Sequence, residues 1–200
     1  AKAGPDEIKF DIPGTGVHTI SPTSGLPSIT DTVSIIANTQ PGYVDKPMVQ
    51  LNGGNGTGLF FDMGSSGSTL NGLAVNRWTT GIRVDSNNVT ITGVHIGIDA
   101  DGITIPPVED RQIDGIEIRG QNNSVLGSRD AMSRASNSDI TGNQLRGIYI
   151  NGAGATGNRV SGVDFGFANG KVPDESITVS QISIEQAQNN TIGGTTNADL

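Results

Sequence analysis

The sequence predicts an all-β protein wound as a right-handed parallel β-helix, a β-solenoid of short stacked coils. Three observations lead there. Glycine is abundant, 29 in 200 residues, while charged residues make up 16% of the chain and hydrophobic ones 34%. β-Branched residues alternate with Gly, Asn, Ser and Thr, and the runs of Ala, Leu, Glu, Lys and Arg that favour helices are missing. Finally, two short motifs recur along the chain, and self-similarity of this kind marks a repeat architecture.

The first motif is a polar residue, a short apolar alternation and a glycine. It reads Ser68-Thr69-Leu70-Asn71-Gly72, Asn88-Val89-Thr90-Ile91-Thr92-Gly93 and Asn123-Ser124-Val125-Leu126-Gly127. Degenerate copies follow at Asn137–Gly142, Asn158–Gly162 and Asn190–Gly194. The second motif is Gly-Ile followed by alternation: Gly81-Ile82-Arg83-Val84, Gly115-Ile116-Glu117-Ile118 and Gly147-Ile148-Tyr149-Ile150, with Gly58-Leu59-Phe60-Phe61 as a looser copy. Strict alternation puts one face of each strand inside. Strands this short cannot bury enough surface alone, so they must stack on their own copies in neighbouring coils. Ile82, Ile116 and Ile148 are therefore expected to lie in register. The recurrent asparagines are expected to form a ladder of amides along one turn, and Asn and Gly both suit left-handed corners.

Nothing in the length forces a second domain, so residues 1–200 read as one unit whose first coils begin near residue 8. The Gly81 to Gly115 and Gly115 to Gly147 intervals exceed a compact coil of roughly 20 residues, so some turns carry outward loops. Two such loops are expected near 99–114, which holds Pro106-Pro107, and near 167–176, which holds Pro173.

Composition excludes several function classes. A net charge of −8 with only 12 Lys and Arg leaves no cationic footprint for a nucleic-acid backbone. No apolar run approaches the roughly 20 residues that span a bilayer. The absence of cysteine removes disulfides, thiolate metal sites and thiol catalysis. Low charge with abundant Asn, Ser, Thr and Gly suits an extracellular or cell-surface protein, although residues 1–10 lack the layout of a signal peptide.

The stretches Ile8–Gly14, Thr19-Ile20, Leu26–Thr30 and Thr39–Tyr43, together with Asn189–Thr196, resemble the first and late coils of a known group. These are large secreted proteins of prokaryotic cell surfaces with right-handed parallel β-helix repeats, often preceded by a secretion-associated N-terminal module. The resemblance covers nearly the whole chain, but motifs of Asn, Gly and Ile specify a fold far more than a function. It implies a non-enzymatic structural or adhesive element: an adhesin, a matrix component or a carbohydrate-binding stalk. Its expected partners are further copies of itself end to end, carbohydrate and cell-surface components. The sequence stops directly after a repeat motif, at Asp199-Leu200, as a fragment or a subunit covered by another copy would.

Candidate chemistry is sparse. Asp99 and Asp101, with Glu109, Asp110 and Asp114 nearby, gather hard oxygen ligands around one loop and are the calcium candidates. The spacing is only partly that of a calcium loop, and a solvated acidic loop accounts for the same residues. Trp78 sits in a polar, loop-like context and is the candidate sugar-stacking platform, whereas Tyr43, Tyr149, Phe60 and Phe61 are expected in packing roles. The rival reading is a polysaccharide lyase or hydrolase on the same fold. Hydrolases need two positioned acids; Asp85, Asp99, Asp101, Asp114 and Asp164 are available, but no paired-aspartate motif stands out. Of the two histidines, His18 and His95, the second alternates with Val94 and Ile96 and is expected to point away from the core, with no partner for general-base work. No catalytic residue is assigned. Four Asn-x-Ser/Thr motifs, at Asn55, Asn88, Asn122 and Asn189, match the glycosylation pattern at a frequency that an Asn- and Thr-rich chain produces by chance.

Overall fold

Short alternating segments separated by Gly and Asn corners can pair only with their equivalents elsewhere in the chain, and they do. The computed structural model describes residues 5–128, 136–166 and 180–193. Its strands, numbered in chain order, form three sheets. The first sheet comprises β1 (Asp6–Lys9), β3 (Val33–Ile36), β6 (Thr69–Asn71), β9 (Thr90–Thr92), β12 (Ser124–Leu126), β15 (Arg159–Ser161) and β18 (Thr191–Ile192). The second comprises β2 (His18–Ile20), β4 (Val49–Asn52), β7 (Leu73–Asn76), β10 (His95–Ile96), β13 (Asp139–Ile140) and β16 (Asp164–Phe165). The third comprises β5 (Thr57–Phe61), β8 (Thr80–Val84), β11 (Asp114–Ile118), β14 (Arg146–Asn151) and β17 (Ser180–Glu185). From β3 onward the chain visits the three sheets in rotation, whereas the first circuit, β1 and β2, contributes no strand to the third sheet; every strand pair is parallel. Among the described residues, only the 3-10 turns Ala37–Thr39 and Val108–Asp110 interrupt the strands, and no helix is long and apolar enough to cross a membrane.

The core is a set of apolar columns running across the circuits. In the third sheet Ile82 pairs with Ile116 and Ile116 with Ile148, the register the Gly-Ile motif predicts. All three are fully buried. Ile35, Leu70, Ile91, Val125 and Val160 form the equivalent column of the first sheet, and Leu51, Val75, Ile96 and Ile140 that of the second. Burying each such side chain contributes about 1.5–3 kcal/mol.

The glycine of the Gly-Ile motif is required by close approach. A Cβ on Gly58, Gly81, Gly115 or Gly147 would lie 2.5, 2.8, 2.4 or 2.6 Å from the carbonyl oxygen at the equivalent position of the next circuit. At these four positions a side chain would require the backbone to move; the column ends at Gln181, the equivalent of Gly147 in the next circuit.

The asparagine motif resolves into two roles one residue apart. Gly67, Asn88, Asn122, Gly157 and Asn189 form the left-handed corner, with φ of 80, 58, 55, 69 and 56°. The next residues, Asn123, Asn158 and Asn190, are the ladder. Each Oδ1 accepts the backbone N–H of its neighbour in the preceding circuit, at 2.8 Å for Val89, Asn123 and Asn158. Each Nδ2 donates to a carbonyl three residues before that neighbour, Ser86, Gly120 or Ala155, at 3.0, 3.0 and 2.9 Å. The ladder thus clamps side chain to backbone rather than amide to amide, and satisfies corner groups that would otherwise be buried without partners. Asn88 is not a rung of it: the motif copies align one residue later there, and Val89 holds the ladder position.

The expected loop near 99–114 is the connection between β10 and β11. The one expected at 167–176 lies outside the described residues, as do Thr195, Thr196 and Asp199.

Candidate functional site

The outward side of the second sheet departs from the rule that outward residues face water. Alternation sends Val94 and Ile96 into the core, so His95 points away from it, as expected. His95 is nevertheless buried, only 3% exposed. In-register pairing places it in an outward column that runs Thr19, Gln50, Ala74, His95, Asp139 and Asp164. Gln50, Ala74 and Asp139 are buried too. Over Gln50 and His95 the cover is the loop between β10 and β11, which folds back onto them. Ala100 N–H donates to Gln50 Oε1 at 2.8 Å, the Asp99 carbonyl stands 3.4 Å from His95 Nδ1, and Lys46 Nζ donates to the Asp101 carbonyl at 3.3 Å.

This covered column carries the strongest electrostatic perturbations among the described residues. Burial pushes the His95 pKa down to about 4, with the Lys46 charge acting the same way against the opposing Asp99 carbonyl contact. Burial pushes Asp139 up to about 7; the Thr141 hydroxyl bond pulls it down, and the neighbouring Asp164 charge raises it further. Asp164 accepts the Ser136 N–H at 2.9 Å. Chemically, a neutral imidazole therefore stands next to a carboxyl group that holds its proton to near neutral pH, and that group stands next to a second carboxylate.

The sequence offers Asp164 only as one of five available acids with no paired motif, and Asp139 is not among them. The available signal was the dipeptide pattern His95-Ile96, Asp139-Ile140 and Asp164-Phe165, a polar residue before an apolar one in three second-sheet strands. Reading it needs the register, and loops of different length hide the register from inspection.

The calcium candidates do not converge. Asp99 Oδ1 receives Arg77 Nη1 and Asn76 Nδ2, each at 2.6 Å, and Arg77 Nη2 lies 3.4 Å from Oδ2. Asp101 turns into its own loop, accepting the N–H groups of Ile103 and Thr104 at 2.8 Å and the Thr104 hydroxyl at 2.6 Å. Burial alone would raise the Asp101 pKa, but these donors outweigh it and hold the carboxyl below its usual range. Glu109 and Asp110 are exposed in the 3-10 turn, while Asp114 is paired with Arg146 at 2.7 and 2.9 Å. No three His, Asp or Glu side chains gather around a common point among the described residues.

Trp78 corrects an expectation. It is 3% exposed and belongs to the core, so neither ring face is open to a sugar. Its indole lies over Gly53 and Gly58; a Cβ at Gly53 would come within 2.1 Å of the ring. The polar neighbours in sequence misled, because the glycines that accommodate the ring come from the preceding circuit. Of the other aromatics, Phe61 is fully buried, whereas Phe60 and Tyr149 face outward under arginines, Arg83 4.8 Å and Arg146 3.5 Å from their ring centroids.

Fold and site together define an all-β protein of parallel, in-register sheets with one loop-covered polar face. No protein-family model matches the chain, and neither curated proteins nor solved structures give a match.

Proposed function

We propose that this protein is a right-handed parallel β-helix of the prokaryotic surface-protein type, acting outside the cell as a non-enzymatic structural or adhesive element. Its end rungs pair with further copies to build a stalk or filament, and carbohydrate or other cell-surface components are its lateral partners. One observation supports this reading best. Equivalent strands stack parallel and in register over apolar columns buried along their length, so stacking is the direction in which the structure extends. Open parallel edges template pairing with another chain, and a head-to-tail contact that does not close propagates. Sedimentation and electron microscopy over rising concentration test it. Fibres or end-to-end dimers that Ile8→Lys abolishes are expected; uniform monomers at every concentration would sink the reading.

The runner-up, a carbohydrate-active hydrolase or lyase, is favoured by the register of Asp139 and Asp164 on the covered face. Incubation with acidic and neutral polysaccharides, followed by reducing-end and unsaturated-product absorbance, separates the two. Turnover that Asp139→Asn removes would replace the structural reading.

A further inference from the structure

We propose that the exposed corner leading into the first sheet is an N-glycan-bearing edge, with Asn189 and one of the pair Asn88 and Asn122 as acceptors in each molecule. The register carries the argument. Thr90 pairs with Ser124, and Ser124 connects through Arg159 to Thr191, so the three acceptor motifs occupy equivalent places in their circuits. Asn88, Asn122 and Asn189 are all exposed, and all adopt the left-handed conformation that turns the chain at this corner. The structure also sorts asparagines by motif. Asn76, Asn123, Asn143 and Asn158 are fully or nearly fully buried, and the residues two places on are Trp78, Val125, Leu145 and Val160, none with a hydroxyl. All four asparagines that do have Ser or Thr two places on, Asn55 included, are exposed. Asn122-Asn123 is divided between an accessible amide and a buried clamp and Asn189-Asn190 between an accessible amide and a half-buried one, whereas Asn87 and Asn88 are both exposed.

Spacing sets the occupancy. Asn88 and Asn122 stand on adjacent rungs about 4.8 Å apart, about the width of one pyranose ring, so a sugar on one excludes a sugar on the other. Between Asn122 and Asn189 the corner residue is Gly157, where a Cβ would lie only 2.3 Å from Asn122 Oδ1. That rung carries no side chain, and two glycans fit on either side of it. The transfer itself is a substitution: the asparagine Nδ2 bonds to the sugar C1 of an isoprenoid phosphate-linked oligosaccharide, the C1–O bond to phosphate breaks, and one amide proton leaves to base. A bulky polar glycan there projects from the surface and leaves the core untouched.

The proposal rests on the exported location proposed above, and its test has a different readout from assembly, so the two fail separately. The full chain is produced with a cleavable export signal in a secretory host that performs N-glycosylation. Occupancy at each asparagine is read by peptide mass spectrometry in both released and cell-retained chains. Expected are modification at Asn189 and at Asn88 or Asn122, with doubly modified Asn88/Asn122 chains far below the product of the separate occupancies. Ser124→Ala, which removes the Asn122 motif and leaves the corner intact, should raise Asn88 occupancy at least twofold and leave Asn55 unchanged. An unmodified corner in both fractions, or independent occupancy of Asn88 and Asn122, would overturn it.

Discussion

The covered column of the second sheet makes stability depend on pH in two opposed ways, and single substitutions should separate them. Asp139 has its pKa raised from 3.8 to about 7 by burial. The folded chain keeps this proton where the unfolded chain has lost it, so the contribution is full below about pH 4 and is lost as pH rises towards 7. Each pKa unit is worth 1.36 kcal/mol, which makes the loss about 4 kcal/mol. His95 has its pKa lowered from 6.5 to about 4, chiefly by burial. Here the unfolded chain binds the proton first, so its contribution is full above about pH 6.5 and falls by about 3 kcal/mol as pH drops to 4. The arms nearly cancel between pH 4 and 6.5. Wild-type stability should therefore look flat in that window with respect to these groups. Asp139→Asn removes the falling arm, and the difference from wild type should swing by about 4 kcal/mol between pH 4 and 7 in favour of the variant at high pH. His95→Gln should swing about 3 kcal/mol the other way, losing most relative to wild type at pH 6.5 and above. Urea unfolding at fixed pH values, followed by the emission of the single buried Trp78, measures both. Differences from wild type that stay constant with pH would refute the burial argument for both groups.

Three further outcomes follow from the packing and the loop. Ile116→Asp places an unpaired carboxylate between Ile82 and Ile148 and should abolish the cooperative unfolding transition, since the lost burial and the desolvated charge together cost about 5 kcal/mol or more; an unchanged melting temperature would disprove the stacking. Gly115→Ala should lower stability by about 1–3 kcal/mol through its contact with the Gly147 carbonyl, whereas Gly25→Ala, with open space around it, should not; equal effects in urea melts would remove the close-approach argument. Chelator should leave the melting temperature unchanged, because Asp99 is committed to Arg77 and Asn76 and Asp101 to its own loop; a drop that calcium reverses and that Asp99→Ala lacks would restore the calcium reading.

Much of the fold is legible in the sequence because strands that bury one face must repeat, and repetition survives variation in loop length. The Gly-Ile motif gives the third-sheet register directly, since Gly58, Gly81, Gly115 and Gly147 each lie against a neighbouring carbonyl and the residue after each is an aliphatic of one buried column, Leu59, Ile82, Ile116 and Ile148. The asparagine motif is less legible. Two adjacent positions both accept Asn for different reasons, one for its left-handed φ and one for its amide, so alignment on the letter alone shifts Asn88 out of its corner role.

The candidate site is the least legible part, and the reason is specific. A residue's side of a strand follows from alternation, but whether that side meets water depends on what covers it. His95 and Asp139 belong to an outward column that would be solvent-exposed on a bare sheet. The loop between β10 and β11, sent back and tied down through Gln50 and Lys46, covers His95, and Asp139 is buried on the adjacent strand. Trp78 shows the same logic in reverse: its polar neighbours in sequence say nothing about Gly53 and Gly58, which make room for its ring. Position within a circuit is a local property that short motifs encode. Burial of the outward face comes from contacts between circuits, and it is that burial which moves the pKa of His95 and Asp139 and makes the second sheet the chemically distinctive face of the molecule.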